Sequence, residues 1–331
     1  MDVRIAVDAM GGDNGPATAV KAGISAAERA GVHILLVGDI DEVSAHVPGE
    51  MAAKVRMVHA ERGVGMEEKI SLKLLKERTN SMRTALNLVK NGEADCALSA
   101  GNTSAFVTLA VRELGVMEGA GRPGIAVLLP TGSGGLTIFV DAGANVNAKP
   151  AHLLAYGIMG QLYAREVFDI PKPTVGLLNI GEESVKGDDL RKEAFRMMKE
   201  CERLNFVGNV EGQELMAGRV NVVVTDGFTG NAILKVSEGI MRTVKNTLRR
   251  EFTGCVSGRI GAMFLRPSLK RFARRVDYAD YGGGVLLGVN GTVIISHGRS
   301  SRRALVNAID LGRKMCRGDF LTRLKAELGK I

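Results

Sequence analysis

IAVDAMGGDNGP, residues 5–16, is the stretch that decides the fold. Ile5-Ala6-Val7 is an apolar strand-like run that ends at Asp8. Gly11-Gly12-Asp13-Asn14-Gly15-Pro16 then breaks it, and Ala17 opens a helical pattern. Strand, glycine turn and helix in succession is how α/β proteins aim backbone N–H groups at an anion. The loop matches neither G-x-G-x-x-G nor G-x-x-x-x-G-K-[ST], so it is not written as a dinucleotide or P-loop cradle.

The same alternation recurs outward from that stretch. A helix is expected over 17–30 and a strand over 32–38. Further strand-like runs at 94–100, 174–181, 220–227 and 291–298 each precede a helical pattern. Apolar runs alternating with period-3.6 segments predict an α/β fold, a three-layer α/β/α sandwich with a mainly parallel sheet. One interruption is GIAVLLPTGSGGLTIFVDAG (124–143), where Thr131-Gly132-Ser133-Gly134-Gly135 separates two apolar runs and predicts an antiparallel hairpin. No low-complexity linker or repeat divides the 331 residues, so a single α/β domain over 1–331 is expected.

Composition narrows the class. Trp is absent and aromatics make up 4% of the chain, while Gly is abundant at 42 residues, which suits close helix-on-sheet packing. No apolar run reaches the length of a membrane span, and the N-terminus enters a strand at once, without a secretory segment. The four cysteines, Cys96, Cys201, Cys255 and Cys316, show no C-x-x-C spacing. A cytoplasmic protein without a disulfide framework is expected. No metal-binding spacing is present either, and no structural metal is expected.

Charge is distributed unevenly. Residues 241–276 carry ten Lys and Arg against one acid, Glu251, and so hold essentially all of the net charge of +8. The helical pattern over 229–250 places Ile233, Val236, Ile240, Val244 and Leu248 on one stripe. A second helical stretch after Gly254 runs toward Val276, with an interruption expected near Pro267. Together they predict a projecting helical hairpin, 229–278, whose middle carries Phe264 and Leu265 among Arg266, Lys270, Arg271, Arg274 and Arg275. Apolar tips flanked by cations suit an acidic partner, a membrane surface or a helix-packing interface. With few aromatics and no recognised motif, nucleic acid is not expected.

Ligands of open α/β sheets sit beyond the carboxyl ends of the strands, and here those ends are polar. They carry Asp8 to Asp13, Ser99 to Ser104, Asn179 to Gly187, Thr225 to Asn231 and Ser296 to Ser300. Taken singly, each is an ordinary cap or turn. All five are expected on one edge of the sheet, forming a site. Asn102, Thr103 and Ser104 open a helix and offer hydroxyls and free amides to a phosphate or an oxyanion. Lys186, between glycines, supplies a mobile cation. Asp8, Asp13, Glu183 and Asp226 are acids able to orient a lysine or act as a base, and His297 is the one histidine of five at such an end.

The motifs VDAMGGD, SAGNTSA (99–105), DAGAN (141–145), LLNIGEESVKG (177–187), GNVEG (208–212), TDGFTGNAILK (225–235), DYADYGGG (277–284) and LLGVNGTVIISHG (286–298) follow one another along nearly the whole chain. In this the sequence resembles the bacterial phosphate acyltransferases, the acyl-[acyl-carrier-protein]:phosphate acyltransferases of phospholipid synthesis. The resemblance implies transfer of an acyl group from acyl carrier protein to inorganic phosphate. It further implies a homodimer on a scaffold similar to isocitrate and isopropylmalate dehydrogenases, without a nucleotide cofactor. Peripheral association with the inner face of the cell membrane is implied too, beside a membrane acyltransferase acting on glycerol 3-phosphate that takes the product. Departures fall at Gly284-Val285, at Asn147 and at Arg299-Ser300-Ser301, where Arg299 adds a cation for an anion.

Under this reading Lys186 holds phosphate, while Asn231 and Asp226 orient the substrate or polarise the thioester carbonyl. Asp8, Gly11, Gly12, Asp13, Asn102, Thr103, Ser104, Gly181, Glu183 and His297 line the anion and acyl-phosphate pocket. The alternatives are an oxidoreductase on the same scaffold and a non-catalytic adaptor for a membrane or an acidic partner. The missing dinucleotide fingerprint stands against the first.

Overall fold

The computed structural model describes residues 2–276 and 282–330, the side chains of 273–276 excepted. Its strands are β1 (Val3–Asp8), β2 (Val32–Gly38), β3 (Val55–His59), β4 (Cys96–Ser99), β5 (Gly124–Pro130), β6 (Leu136–Val140), β7 (Val175–Leu178), β8 (Phe206–Val210), β9 (Val222–Val224), β10 (Gly284–Leu287) and β11 (Thr292–Ile295). They form one sheet in the order β3-β2-β1-β4-β11-β10-β5-β6-β9-β7-β8. Most neighbours are parallel, and the antiparallel pairings are β11 with β10, β10 with β5, and β5 with β6. The 124–143 hairpin therefore forms as expected, with Leu128 opposite Ile138.

The helices are α1 (Gly15–Ala27), α2 (Ile40–Ser44), α3 (Leu72–Lys76), α4 (Ser81–Lys90), α5 (Thr103–Leu114), α6 (Pro150–Phe168), α7 (Asp189–Glu200), α8 (Glu214–Ala217), α9 (Gly227–Thr253), α10 (Val256–Val276), α11 (Arg302–Cys316) and α12 (Phe320–Leu328). Two apolar layers hold them to the sheet. On one face, Ile5, Val7, Ile34 and Leu36 pack with Val20 of α1 and Ile309 of α11, and further along the same face Tyr156 of α6, Met198 of α7 and Phe320 of α12 are buried. Ala6, Leu35 and Phe139 face the other way, against Leu74, Leu86 and Phe106 of α3, α4 and α5 and Ile233 and Leu234 of α9. The alternation of side chains along a strand produces the two faces, and the sheet buries both of them.

Helix starts follow local chemistry. Asn102 caps α5, Asp188 caps α7, Asp226 caps α9 and Ser301 caps α11, each accepting a hydrogen bond from a first-turn amide. α1 begins two residues before the expected start because Pro16 fits the first turn, where its missing N–H costs nothing. α10 runs through Pro267 without the expected break. A proline removes one hydrogen bond and crowds one carbonyl, and the rest of this long helix continues around it.

Candidate active site

The five polar strand ends do not share one edge. Each antiparallel neighbour reverses strand direction, and three such steps separate β11 from β6. The block β3-β2-β1-β4-β11 and the block β6-β9-β7-β8 consequently run in opposite directions. Asp8, Ser99 and Ser296 end at one rim of the sheet, and Asp141, Asn179 and Thr225 end at the other. This corrects the expected convergence on a single edge, because direction depends on sheet order, which local patterning does not carry.

At the first rim the glycine loop meets the start of α5 and the His297 loop. Asp13 N donates to Gly298 O at 2.8 Å, and Asn14 Nδ2 donates to Ser300 O at 3.1 Å. Gly11 is required by closeness, since a Cβ there would lie 2.6 Å from Asp8 Oδ2 and 2.8 Å from Gly101 N. Asp8 is buried. It accepts the Ser99 hydroxyl at 2.6 Å and Met10 N at 3.1 Å, and burial pushes its carboxyl above the usual range despite these bonds. The expected role of Asp8 as an accessible base or lysine partner is thus corrected to tying β1 to β4. Asn102 is corrected as well. Its oxygen caps Ala105 N at 3.0 Å, and its amide donates to the Met66 and Glu68 carbonyls at 3.0 and 3.1 Å, anchoring the loop that carries them. The exposed groups of this segment are Thr103 and Ser104 at the start of α5.

His297 stands on the same rim with Nδ1 accepting Arg299 N at 3.1 Å, which assigns the proton to Nε2. Partial burial and then Lys235 lower its pKa, with Arg299 adding and Glu238 and Asp13 opposing. The neutral imidazole so favoured presents Nε2–H as a donor. Arg299 pairs loosely with Asp13 at 3.5 Å, both exposed.

The second rim gathers Lys186, Asp226 and Asn231. Lys186 is exposed and makes no ion pair among the described residues. Its loop is pinned by Asn179 Nδ2 to Lys186 O at 3.0 Å and by Asn209 Nδ2 to Glu183 O at 2.9 Å. Glu183 folds back over Gly181, whose added Cβ would lie 2.8 Å from Glu183 Oε2. Asp226 accepts Thr229 N at 2.9 Å, the Thr229 hydroxyl at 2.7 Å and Arg191 at 2.5 Å. Burial would raise its carboxyl, but Thr229 and Arg191 outweigh that and hold it below the usual range. The expected role of Asp226 in orienting the substrate or polarising the thioester carbonyl is thus corrected: with its oxygens so engaged, it positions the start of α9 instead. Asp141 beside it accepts the amides of Ile125, Gly143, Ala144 and Asn145 at 2.8 to 3.0 Å. Gly143, at φ +137, lies against Asn231, which a Cβ there would approach to 3.3 Å.

α9 joins the rims. It starts at the second rim and carries Asn231, Lys235 and Glu238 at spacings that share a helix face. Lys235 bonds Glu238 at 3.1 Å, and both act electrostatically on His297 of the first rim. Sequence reasoning missed Lys235, Glu238 and Arg191. The i, i+4 and i+7 spacing from Asn231 was the available signal for the first two. Arg191, in the first turn of α7, had none. Among the described residues, no cluster of three or more His, Cys, Asp or Glu side chains is arranged to hold a metal ion.

α9 and α10 pack along each other, and Val256, Ile260, Met263, Phe264 and Leu265 are exposed beside the exposed Arg266, Lys270 and Arg271. The side chains of Arg274 and Arg275, and residues 277–281 of the DYADYGGG motif, lie outside the described residues. Among the described residues, no helix is long and apolar enough to cross a membrane.

Residues 3–323 match the family model described as fatty acid synthesis protein. A phosphate acyltransferase of Thermodesulfovibrio yellowstonii is 42% identical over 330 residues, covering 99% of this chain and 95% of that one. The chain belongs to this family of phosphate acyltransferases. It is an acyltransferase, and a second relative of that name, from Brevibacillus brevis, is 38% identical over 329 residues, covering 99% and 98% of the two chains. Among solved structures, the EutD phosphotransacetylase of Staphylococcus aureus superposes with a TM-score of 0.60 at 17% identity, covering 95% and 94% of the two chains. A 4-hydroxythreonine-4-phosphate dehydrogenase from Klebsiella pneumoniae gives 0.52 at 12% identity, covering 96% and 99%. These two likenesses establish the α/β fold alone.

Proposed function

We propose that this protein transfers a fatty acyl group from the thioester of acyl carrier protein to inorganic phosphate. A phosphate oxygen attacks the thioester carbonyl carbon, the carbon–sulfur bond breaks, and the carrier leaves as its thiol while acyl phosphate is released. Phosphate at neutral pH is already an anionic nucleophile, so positioning and oxyanion stabilisation are the tasks left to the protein. Lys186 and Asn231 hold phosphate at the second rim. Lys235, one turn on from Asn231 along the same face of α9, and the Nε2–H of His297 within its electrostatic reach offer donors to the oxyanion that develops beside that phosphate. The observation that carries this reading is the α9 face, which runs from Asn231 to Lys235 and Glu238 within the field of His297.

Acyl carrier protein is the proposed donor because residues 241–276 offer a cationic surface to an acidic partner. The exposed apolar residues of α10 support peripheral contact with the inner face of the membrane, where a membrane glycerol 3-phosphate acyltransferase would take the product, and support pairing into a homodimer. A single catalytic domain carrying this hairpin belongs to the same proposal, as does a scaffold similar to the isocitrate and isopropylmalate dehydrogenase group, which the sequence resemblance implies. The test is to incubate purified protein with long-chain acyl carrier protein, with and without phosphate, and to trap acyl phosphate with hydroxylamine. Acyl hydroxamate forming only with phosphate, together with free carrier, is the expected result. Carrier release independent of phosphate would overturn the reading.

A further inference from the structure

Where β4 begins, several strands along the sheet from Asp141 and Asp226, two thiols lie close together. Cys96 opens β4 and is fully buried. α11 crosses directly over it at Gly312, where an added Cβ would lie 2.9 Å from Cys96 Sγ. One turn further along the same face, Cys316 ends α11. Its thiol donates to the carbonyl of Asp95, the residue next to Cys96, at 3.3 Å, and the two thiols lie near enough to influence each other's ionisation.

We propose that Cys96 and Cys316 are a paired oxidation site that closes to an intramolecular disulfide when the protein meets hydrogen peroxide. The two cysteines differ in the way such a pair requires. Cys316 is partly exposed, and the nearby Cys96 lowers its thiol pKa, with Thr292 adding to this against burial. Cys96 is hidden, and the nearby Cys316 followed by burial pushes its thiol well up. The thiolate is the form that attacks, so Cys316 reacts first. Its sulfur takes one peroxide oxygen, giving Cys316 sulfenic acid and one water. The Cys96 thiol then attacks that sulfur, and a second water leaves as the disulfide forms. The dithiol loses two electrons and the peroxide is reduced to two waters.

Closure requires the two sulfurs to come within about 2 Å of each other. Cys316 is the last residue of its helix, and the exposed Arg317, Gly318 and Asp319 follow, so the final turn has room to move. A reversible bond of this kind is the form in which disulfides occur in reducing compartments.

Reduced full-length protein is treated with hydrogen peroxide, alkylated under denaturing conditions and mapped by mass spectrometry without reduction. A linked 96–316 peptide is expected, with intact mass lower by two hydrogens and restored by dithiothreitol. Cys96→Ser is expected to leave a dimedone-reactive sulfenic acid at Cys316, and Cys316→Ser to leave Cys96 fully alkylated. The exposed Cys255 reports that the oxidant acted. Oxidised Cys255 beside fully alkylated Cys96 and Cys316 would overturn the proposal, as would Cys316 linked to Cys201 or Cys255 instead.

Discussion

The first rim is held together largely by backbone, whereas the second is held by buried charge. Asp13 N on Gly298 O and the near contact of Gly11 with Gly101 tie the first rim's loops, and the ion pair of Arg299 with Asp13 there is exposed. At the second rim Arg191 and Asp226 pair with side chains only 14% and 8% exposed, and the pair fixes the start of α9. Both rims place a buried aspartate at a strand end, Asp8 and Asp141, and burial pushes both carboxyls up. The difference teaches that similar sequence motifs, a polar strand end followed by a capped helix, carry different consequences for mutation. Loss of a surface charge is therefore expected to be tolerated at the first rim, and loss of the buried cation not to be tolerated at the second.

The largest effect expected is that of Arg191→Leu. Leaving Asp226 buried and unpaired costs about 3–5 kcal/mol, to be read by urea denaturation. The sign of its pH dependence follows from the lowered Asp226 carboxyl. The stabilisation is full above the usual carboxylate range and is lost as pH falls through the lowered native value, so the variant should lose less stability on acidification than the wild type. Next comes Lys186→Ala, expected to lower kcat/KM for phosphate by about 10²-fold with an unchanged urea midpoint. Lys186→Arg should retain part of that activity.

His297 sharpens the comparison by linking the rims. Its neutral form is the proposed donor and its pKa is lowered, so activity should persist as pH falls through the ordinary imidazole range and decline only below it. Lys235→Ala, which removes a cation that lowers that pKa, should move the acid limb to higher pH. An unmoved limb would break the connection through α9. The smallest effect belongs to Arg299→Leu, which should cost less than about 1 kcal/mol of stability because its ion pair is exposed.

Much of the fold is legible in the sequence because its signals are local. The glycine break after Asp8, the 124–143 hairpin and the caps Asn102, Asp226 and Ser301 are each written within a few residues. The opposition of the two rims is not, since it depends on β11 pairing with β4 and on the four-residue β10, contacts made across most of the chain. For the same reason the candidate residues were recognisable by type but not by company. The Asn102 amide is taken by the loop at Met66 and Asp226 by the Arg191 guanidinium, partners from distant parts of the chain that local sequence does not name.

The division of labour between the rims is tested most directly by initial rates with phosphate and acyl carrier thioester both varied, in wild type, Lys186→Ala and His297→Gln. The account predicts a raised KM for phosphate in Lys186→Ala alone, and a lowered kcat with both KM values unchanged in His297→Gln. Equal increases in the phosphate KM of both variants would contradict it, because phosphate would then be held by the two rims together.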